Sequence, residues 1–184
     1  MNIIARPTIV DTGVQKILRF RTEEDMRRVI DLVTTDYSNV FYRNSCGFIG
    51  EHITSEYMRQ MVADQELFKK QSGLRIRVND IIFDKGDLHY GREIQELKKI
   101  ADGMAAYYAA EGFPTIYDVW RDKADVYRIT YAISVVSPID GRKYTWNNTT
   151  KYEREMAALY TIYYMVTGRQ EPSEQFNFLI QENH

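Results

Sequence analysis

Two segments of strand-like pattern, Thr115 to Arg121 and Val126 to Val136, are separated by only Asp122-Lys123-Ala124-Asp125. So short a connection allows only an antiparallel pair, because a parallel crossover needs a dozen or more residues. Pro138-Ile139-Asp140-Gly141 reads as a second tight turn, leading into Arg142 to Trp146. Upstream, Leu74-Arg75-Ile76-Arg77-Val78 alternates with period two and continues through Ile81-Ile82-Phe83 to a turn at Asp84 to Asp87. Residues 2 to 10, NIIARPTIV, read as a first strand, with Pro7 placing it at an edge or end. An antiparallel sheet is the frame of this chain.

Helical spacing supplies the other layer. Thr22 followed by Glu23, Glu24 and Asp25 is a helix start, with Met26, Val29, Ile30 and Val33 on one stripe to about Thr34. A second helix is expected from about Ser55 to Gln71, closed by Gly73. The clearest one runs from Arg92 to Glu111, with Ile94, Leu97, Ile100, Ala101, Met104 and Tyr108 on one face. A last helix follows the cap Thr150-x-x-Glu153 to about Thr167, and its Met156, Leu159, Tyr160 and Tyr163 read as core. Residues 36 to 53 read as irregular, and VQKILRF after Gly13 stays open between helix and strand. The expected fold is α+β, an antiparallel β-sheet with amphipathic helices packed on one face. One domain spans residues 1–168, followed by a polar tail, 169–184, in which Phe176, Phe178, Leu179 and Ile180 are the residues able to dock.

Charge bounds the partners. With 24 basic against 26 acidic residues the formal net charge is −2, which excludes a globally basic nucleic-acid coat and leaves room for a local stripe. A single cysteine, Cys46, excludes an internal disulfide and points to a reducing compartment. The apolar run at the start is too short for a signal peptide, and no 18 consecutive apolar residues occur anywhere. The expectation is a cytoplasmic protein with no membrane partner. Neither G-x-G-x-x-G nor a G-K-[ST] loop is present, so no nucleotide cofactor is expected. Tyrosine supplies 14 of the 24 aromatic residues, a type suited both to half-buried sheet positions and to contact surfaces.

From Arg77 to Tyr144 the chain reads VNDIIFDKGD, then a long amphipathic helix, then GFPTIYDVWRDKADVYRITYAISVVSPIDGRKY. In order and spacing, over about residues 1–150, this resembles the relaxases of plasmid and conjugative-element mobilisation. The resemblance implies an antiparallel sheet with helices behind it, and a divalent metal held by three histidines. Those histidines fall here at Trp120, Tyr127 and Ile129, and the acidic residue after the first of them is retained as Asp122. Indole and isoleucine offer a metal no lone pair, and a neutral phenol is a poor ligand. The family's nucleophilic tyrosine falls around Arg19 or Phe20, and no tyrosine precedes Tyr37. His52, His89 and His184 lie in separate segments and cannot rebuild a two-residue spacing. The resemblance thus implies a relaxase-like protein without metal or catalytic residues.

What remains is a surface. Arg75, Arg77, Trp120, Arg121, Asp122, Tyr127 and Arg128 are the candidate binding residues, with alternation placing Arg75 and Arg77 on one face. Trp120 and Tyr127 admit two readings, a stacking platform or burial in the sheet core. The arginines, together with Lys123, likewise admit phosphate contacts or a solvated face, and Asp122 a relic ligand or a turn cap. Two function classes follow. The first is a phage or mobile-element inhibitor of a host nuclease or nucleoprotein complex, in particular a type II CRISPR effector nuclease (an anti-CRISPR). The second is a DNA-binding accessory of mobilisation. A third reading, an active metal-dependent nickase, requires carboxylate ligands such as Asp118, Asp122 and Asp125.

Overall fold

The structure is a computed structural model that describes residues 20–144 and 149–169. The strand expected at residues 2–10, the end of the hairpin arm at 145–146 and the tail from residue 170 lie outside the described residues. Among the described residues four α-helices and four strands occur in the order α1 (Glu23–Thr34), β1 (Val40–Cys46), α2 (Thr54–Leu67), β2 (Ile76–Phe83), α3 (Glu93–Ala110), β3 (Thr115–Arg121), β4 (Tyr127–Ser134) and α4 (Thr149–Thr167). The sheet order is β1-β3-β4-β2, and every neighbouring pair is antiparallel. The class is α+β with an antiparallel sheet. No helix among the described residues is long and apolar enough to cross a membrane.

Local chemistry sets the helix ends. The Asp25 N–H donates to Thr22 Oγ1 at 3.0 Å, and Asp25 Oδ2 accepts from the N–H groups of Thr22 and Arg21 at 3.0 and 3.1 Å. This reciprocal cap satisfies donors that the first turn leaves open. Partial burial opposes the charged Asp25, but the bonds from Thr22 and Arg21 outweigh it and hold its carboxyl below the ordinary value. At its other end, α2 stops at Leu67, four residues before the end expected from sequence, because Lys69 adopts a left-handed φ of +54°.

The helices cover both faces of the sheet, where one covered face was expected. Residues paired across antiparallel strands share a face, and successive residues alternate. Tyr117, Val119, Ile129, Tyr131, Ile81 and Phe83 therefore lie on one side, packed with Leu97, Ile100 and Met104 of α3 and Leu159 and Tyr163 of α4. Ile116, Ala132 and Ile76 lie on the other, under Met26, Ile30 and Val33 of α1 and Tyr57 and Met61 of α2. The reason is that α1 and α2 carry apolar stripes of their own, and the α3 face is already filled.

β1 is the strand the sequence hid. It pairs with β3 at the sheet edge through a register shift between Val40 and Tyr42, and its burial follows no clean alternation. Tyr42 of β1 and Tyr117 of β3 both donate to Asp102 of α3, at 2.9 and 2.6 Å, tying the helix across two strands. Beyond β4, the described part of the expected hairpin holds the antiparallel bridge Val136 with Lys143, and the Tyr144 N–H donates to Val135 O at 2.7 Å. Leu97 and Met104 are fully buried. Leu97→Ala or Met104→Ala is expected to lower stability by about 2–5 kcal/mol, read as a drop in urea midpoint. A loss below about 1 kcal/mol would contradict the placement of α3.

Candidate functional site

Of the seven candidate binding residues, only Arg121 is exposed, with 45% of its side chain in water. Arg75, Arg77 and Trp120 are buried, and Asp122, Tyr127 and Arg128 are mostly covered. Nor do Arg75 and Arg77 share a face. Arg75 precedes the β2 ladder and turns to the α1–α2 layer, where Nε donates to Gln65 Oε1 and Nη2 lies 3.4 Å from Glu23. Arg77, inside the ladder, points to the opposite layer and meets Glu155 of α4 at 2.9 Å. The period-two spacing failed because it was carried one residue beyond the strand.

Around Trp120 the covered residues form a closed chain of bonds. Trp120 Nε1 donates to Thr130 Oγ1 at 2.8 Å, and that hydroxyl donates to Asp80 Oδ1 at 2.7 Å. Arg128 reaches Asp80 through Nη1 and Asp122 through Nε, both at 2.8 Å, with its guanidinium 5.6 Å from the centre of the Trp120 ring. Burial works against the charged Arg128, but Asp80 and Asp122 outweigh it and raise its pKa above the ordinary value. Asp122 Oδ1 also accepts from the N–H groups of Ala124 and Val126, at 2.9 and 3.1 Å, and so shapes the β3–β4 turn.

The positions given by the relaxase resemblance do not converge. Trp120 pairs with Arg128, while Tyr127 pairs with Arg121 and Ile129 with Val119. Trp120 therefore faces the α1–α2 layer, and Tyr127 and Ile129 face α3. Three histidines at these positions would lie on two sides of the sheet and could not share one metal. Asp122 and Asp125 are engaged by Arg128 and Arg121. Among the described residues no three His, Cys, Asp or Glu side chains are grouped to hold a metal ion.

A second polar cluster, which sequence reading missed, lies between β2, α3 and α4. Glu155 is buried, and its Oε1 accepts from Arg77, Asn79 and Tyr108 at 3.0, 2.6 and 2.6 Å. Its Oε2 accepts from Arg77 and Tyr144 at 2.9 and 3.2 Å, and the Arg77 guanidinium lies 4.3 Å from the centre of the Tyr144 ring. Burial, then the negative charge of Glu155, raises the pKa of Tyr108 far above the ordinary phenol value. Burial does the same to Tyr144, with Arg77 opposing and Glu155 reinforcing it. Both phenols stay protonated near neutral pH and donate to Glu155. The adjoining cavity, about 20 Å³, has room for about one water. The sequence signal was present: Glu155 stands four residues before Leu159, on the apolar stripe of α4.

The two described histidines make separate local contacts. His52 Nδ1 meets Ser45 Oγ at 2.9 Å and the Tyr57 hydroxyl at 2.6 Å, and His89 Nδ1 meets Glu96 at 2.7 Å. Two hydroxyls on one ring nitrogen do not form a nucleophile–base–acid series. Exposed apolar side chains include Tyr90, Ile49, Ile139 and, on α4, Tyr152, Tyr160, Tyr164 and Met165. Tyr160, expected in the core, is thus on the outer face of its helix, while Leu159 and Tyr163 are buried as expected. Comparison with protein-family models, with curated proteins and with solved structures gave no match.

Proposed function

We propose that this chain acts by binding a protein: a relaxase-like, non-catalytic factor of a phage or mobile element that inhibits a host nuclease defence, with a type II CRISPR effector nuclease as the target. One observation favours a protein over DNA. All four arginines offered for phosphate contacts face carboxylates of the same chain: Arg75 with Glu23 at 3.4 Å, Arg77 with Glu155 at 2.9 Å, Arg121 with Asp125 at 3.1 Å, and Arg128 with Asp80 and Asp122 at 2.8 Å. DNA affinity comes mainly from cations that neutralise several phosphates. Guanidiniums already neutralised within the fold add little to it, whereas the exposed tyrosines and methionine suit a protein contact.

Titration of the chain into guide-loaded type II CRISPR effector nucleases with a linear DNA target tests this reading. Cleavage is expected to fall in proportion to added protein and to cease near an equimolar ratio. DNA affinity measured by anisotropy is expected to be no tighter than the non-specific range, about 10⁻⁴–10⁻⁶ M at physiological salt. Tight DNA binding with a steep salt dependence would replace this reading with the mobilisation accessory. Metal-dependent nicking of supercoiled DNA, abolished by Asp122→Ala, would replace it with the nickase.

A further inference from the structure

Five tyrosines stand ring to ring across the α3 face of the sheet. From Tyr42 on β1 the ring centres run 6.3 Å to Tyr117 on β3, 5.6 Å to Tyr131 on β4, then 5.5 Å to Tyr108 and 5.7 Å to Tyr107, both on α3. The three middle rings are buried, and the two ends, Tyr42 and Tyr107, are half-buried. Packing alone does not call for the hydroxyls, since phenylalanine fills nearly the same space with no polar group to satisfy. The hydroxyls divide the series instead. Tyr42 and Tyr117 both donate to Asp102, at 2.9 and 2.6 Å, and among the described residues no ion pair involves that carboxylate. Tyr131 donates at 3.3 Å to the carbonyl of Ala101, which cannot take a proton. Tyr108 donates to Glu155, whose charge is already matched by Arg77 at 2.9 Å. Burial, then the bond to Asp102, raises the pKa of Tyr117 and of Tyr42, so both rest as neutral phenols.

We infer that Tyr42 and Tyr117 with Asp102 form a one-electron redox site, and that Tyr131, Tyr108 and Tyr107 carry oxidising equivalents to it from the other end of the series. This goes beyond the binding reading and does not depend on it. The oxidant is a one-electron oxidant from solution, a radical or a metal complex of high potential. A phenol loses an electron readily only when its proton leaves as well, because the oxidised ring is strongly acidic. The Lys98 ammonium, 5.2 Å from the centre of the Tyr42 ring, further disfavours a ring left positive. At Tyr42 the electron goes to the oxidant and the proton to Asp102, leaving a neutral tyrosyl radical and a carboxylic acid. A one-electron reductant, a thiolate for example, returns the electron, and Asp102 returns the proton. When Tyr107 is oxidised first, its electron goes to the oxidant and its proton to water. An electron then passes from Tyr42 through the intervening rings to Tyr107, which recovers a proton from water as Tyr42 gives its own to Asp102. Transfer runs toward Asp102 because that carboxylate has no paired cation to oppose its protonation.

The test exposes the full chain to photogenerated ruthenium(III) tris-bipyridine, with a nitroso spin trap and peptide mapping to locate the radical. The trap adduct is expected on Tyr42, although Tyr90, at 99%, and Tyr164, at 49%, stand further into water. Asp102→Asn still accepts the two hydroxyl bonds but cannot take a proton. It is expected to abolish the Tyr42 adduct and leave Tyr90 and Tyr164 labelled, in a protein still folded by circular dichroism. Adducts that follow exposure in the parent, or a Tyr42 adduct that survives Asp102→Asn, would overturn the redox site. For the path, the ruthenium complex is joined through the thiol of Glu111→Cys, in a Cys46→Ser background, where Glu111 lines one cavity with Tyr107. A flash is expected to place the adduct on Tyr42. Tyr131→Leu removes the middle ring and is expected to hold the adduct at Tyr107. Asp102→Asn is expected to hold it there too, and keeps the test decisive if the leucine variant does not fold. An adduct confined to Tyr107 without these substitutions, or one that still reaches Tyr42 with either, would overturn the path.

Discussion

Glu155→Ala is expected to destabilise the protein by about 3–5 kcal/mol, enough to threaten the fold of a domain this size. The carboxylate and its partner Arg77 are 3% and 2% exposed, 2.9 Å apart. Removing one member leaves a guanidinium buried without its counter-charge, and that penalty, not the strength of the pair itself, dominates the loss. Asn79, Tyr108 and Tyr144 lose an acceptor at the same time. Arg77→Met is expected to be similarly costly. Combining it with Glu155→Leu is expected to regain part of the stability, since no lone charge then remains, but not all of it, since the amide and phenols stay unsatisfied. Urea unfolding of the two single variants and the double variant measures this directly. A single-variant loss below about 1 kcal/mol would mean that α4 is not held to the sheet by this cluster.

Trp120→Ala is expected to cost about 3–5 kcal/mol, the range for emptying a large aromatic site in a core. Trp120 is 1% exposed, and its indole N–H is bonded to Thr130. Trp120→Phe, which keeps most of the packing and loses the donor, is expected to cost less. The adjacent Arg121→Ala is expected to change stability by no more than about 0.5 kcal/mol, because an exposed pair with Asp125 contributes little. Unfolding midpoints of these neighbours therefore distinguish a core residue from a surface one. A Trp120→Ala protein as stable as the parent would return Trp120 to the binding surface.

Much of the fold was legible in the chain because it is written in short-range patterns. The short link between β3 and β4, Asp122 to Val126, forced an antiparallel pair. Thr22 and Asp25 marked the start of α1, and Leu97, Ile100 and Met104 marked the buried stripe of α3. β1 was illegible because an edge strand with a register shift need not alternate. The choice of one covered face or two was equally hidden: the stripe of α1 states that it must be buried, not against which side of the sheet.

The site was where sequence reasoning reached its limit. Charged and aromatic residues at period-two spacing looked like a surface, yet whether an arginine faces water depends on what the rest of the chain brings to it. Glu155 lies 78 positions from Arg77 and reaches it only once α4 packs on the sheet. Asp80 reaches Arg128 only through the β2–β4 register, and pairing between strands likewise put Trp120 on the opposite face from Tyr127 and Ile129. The sequence by itself determined the elements, the antiparallel sheet and the absence of histidine at the resembled metal positions. Tertiary structure alone decided which charges are neutralised inside, like Arg77 by Glu155, and which remain at the surface, like Arg121. The physical reason is that secondary structure follows from contacts a few residues apart, while burial and charge pairing are properties of segments that meet only in the folded chain.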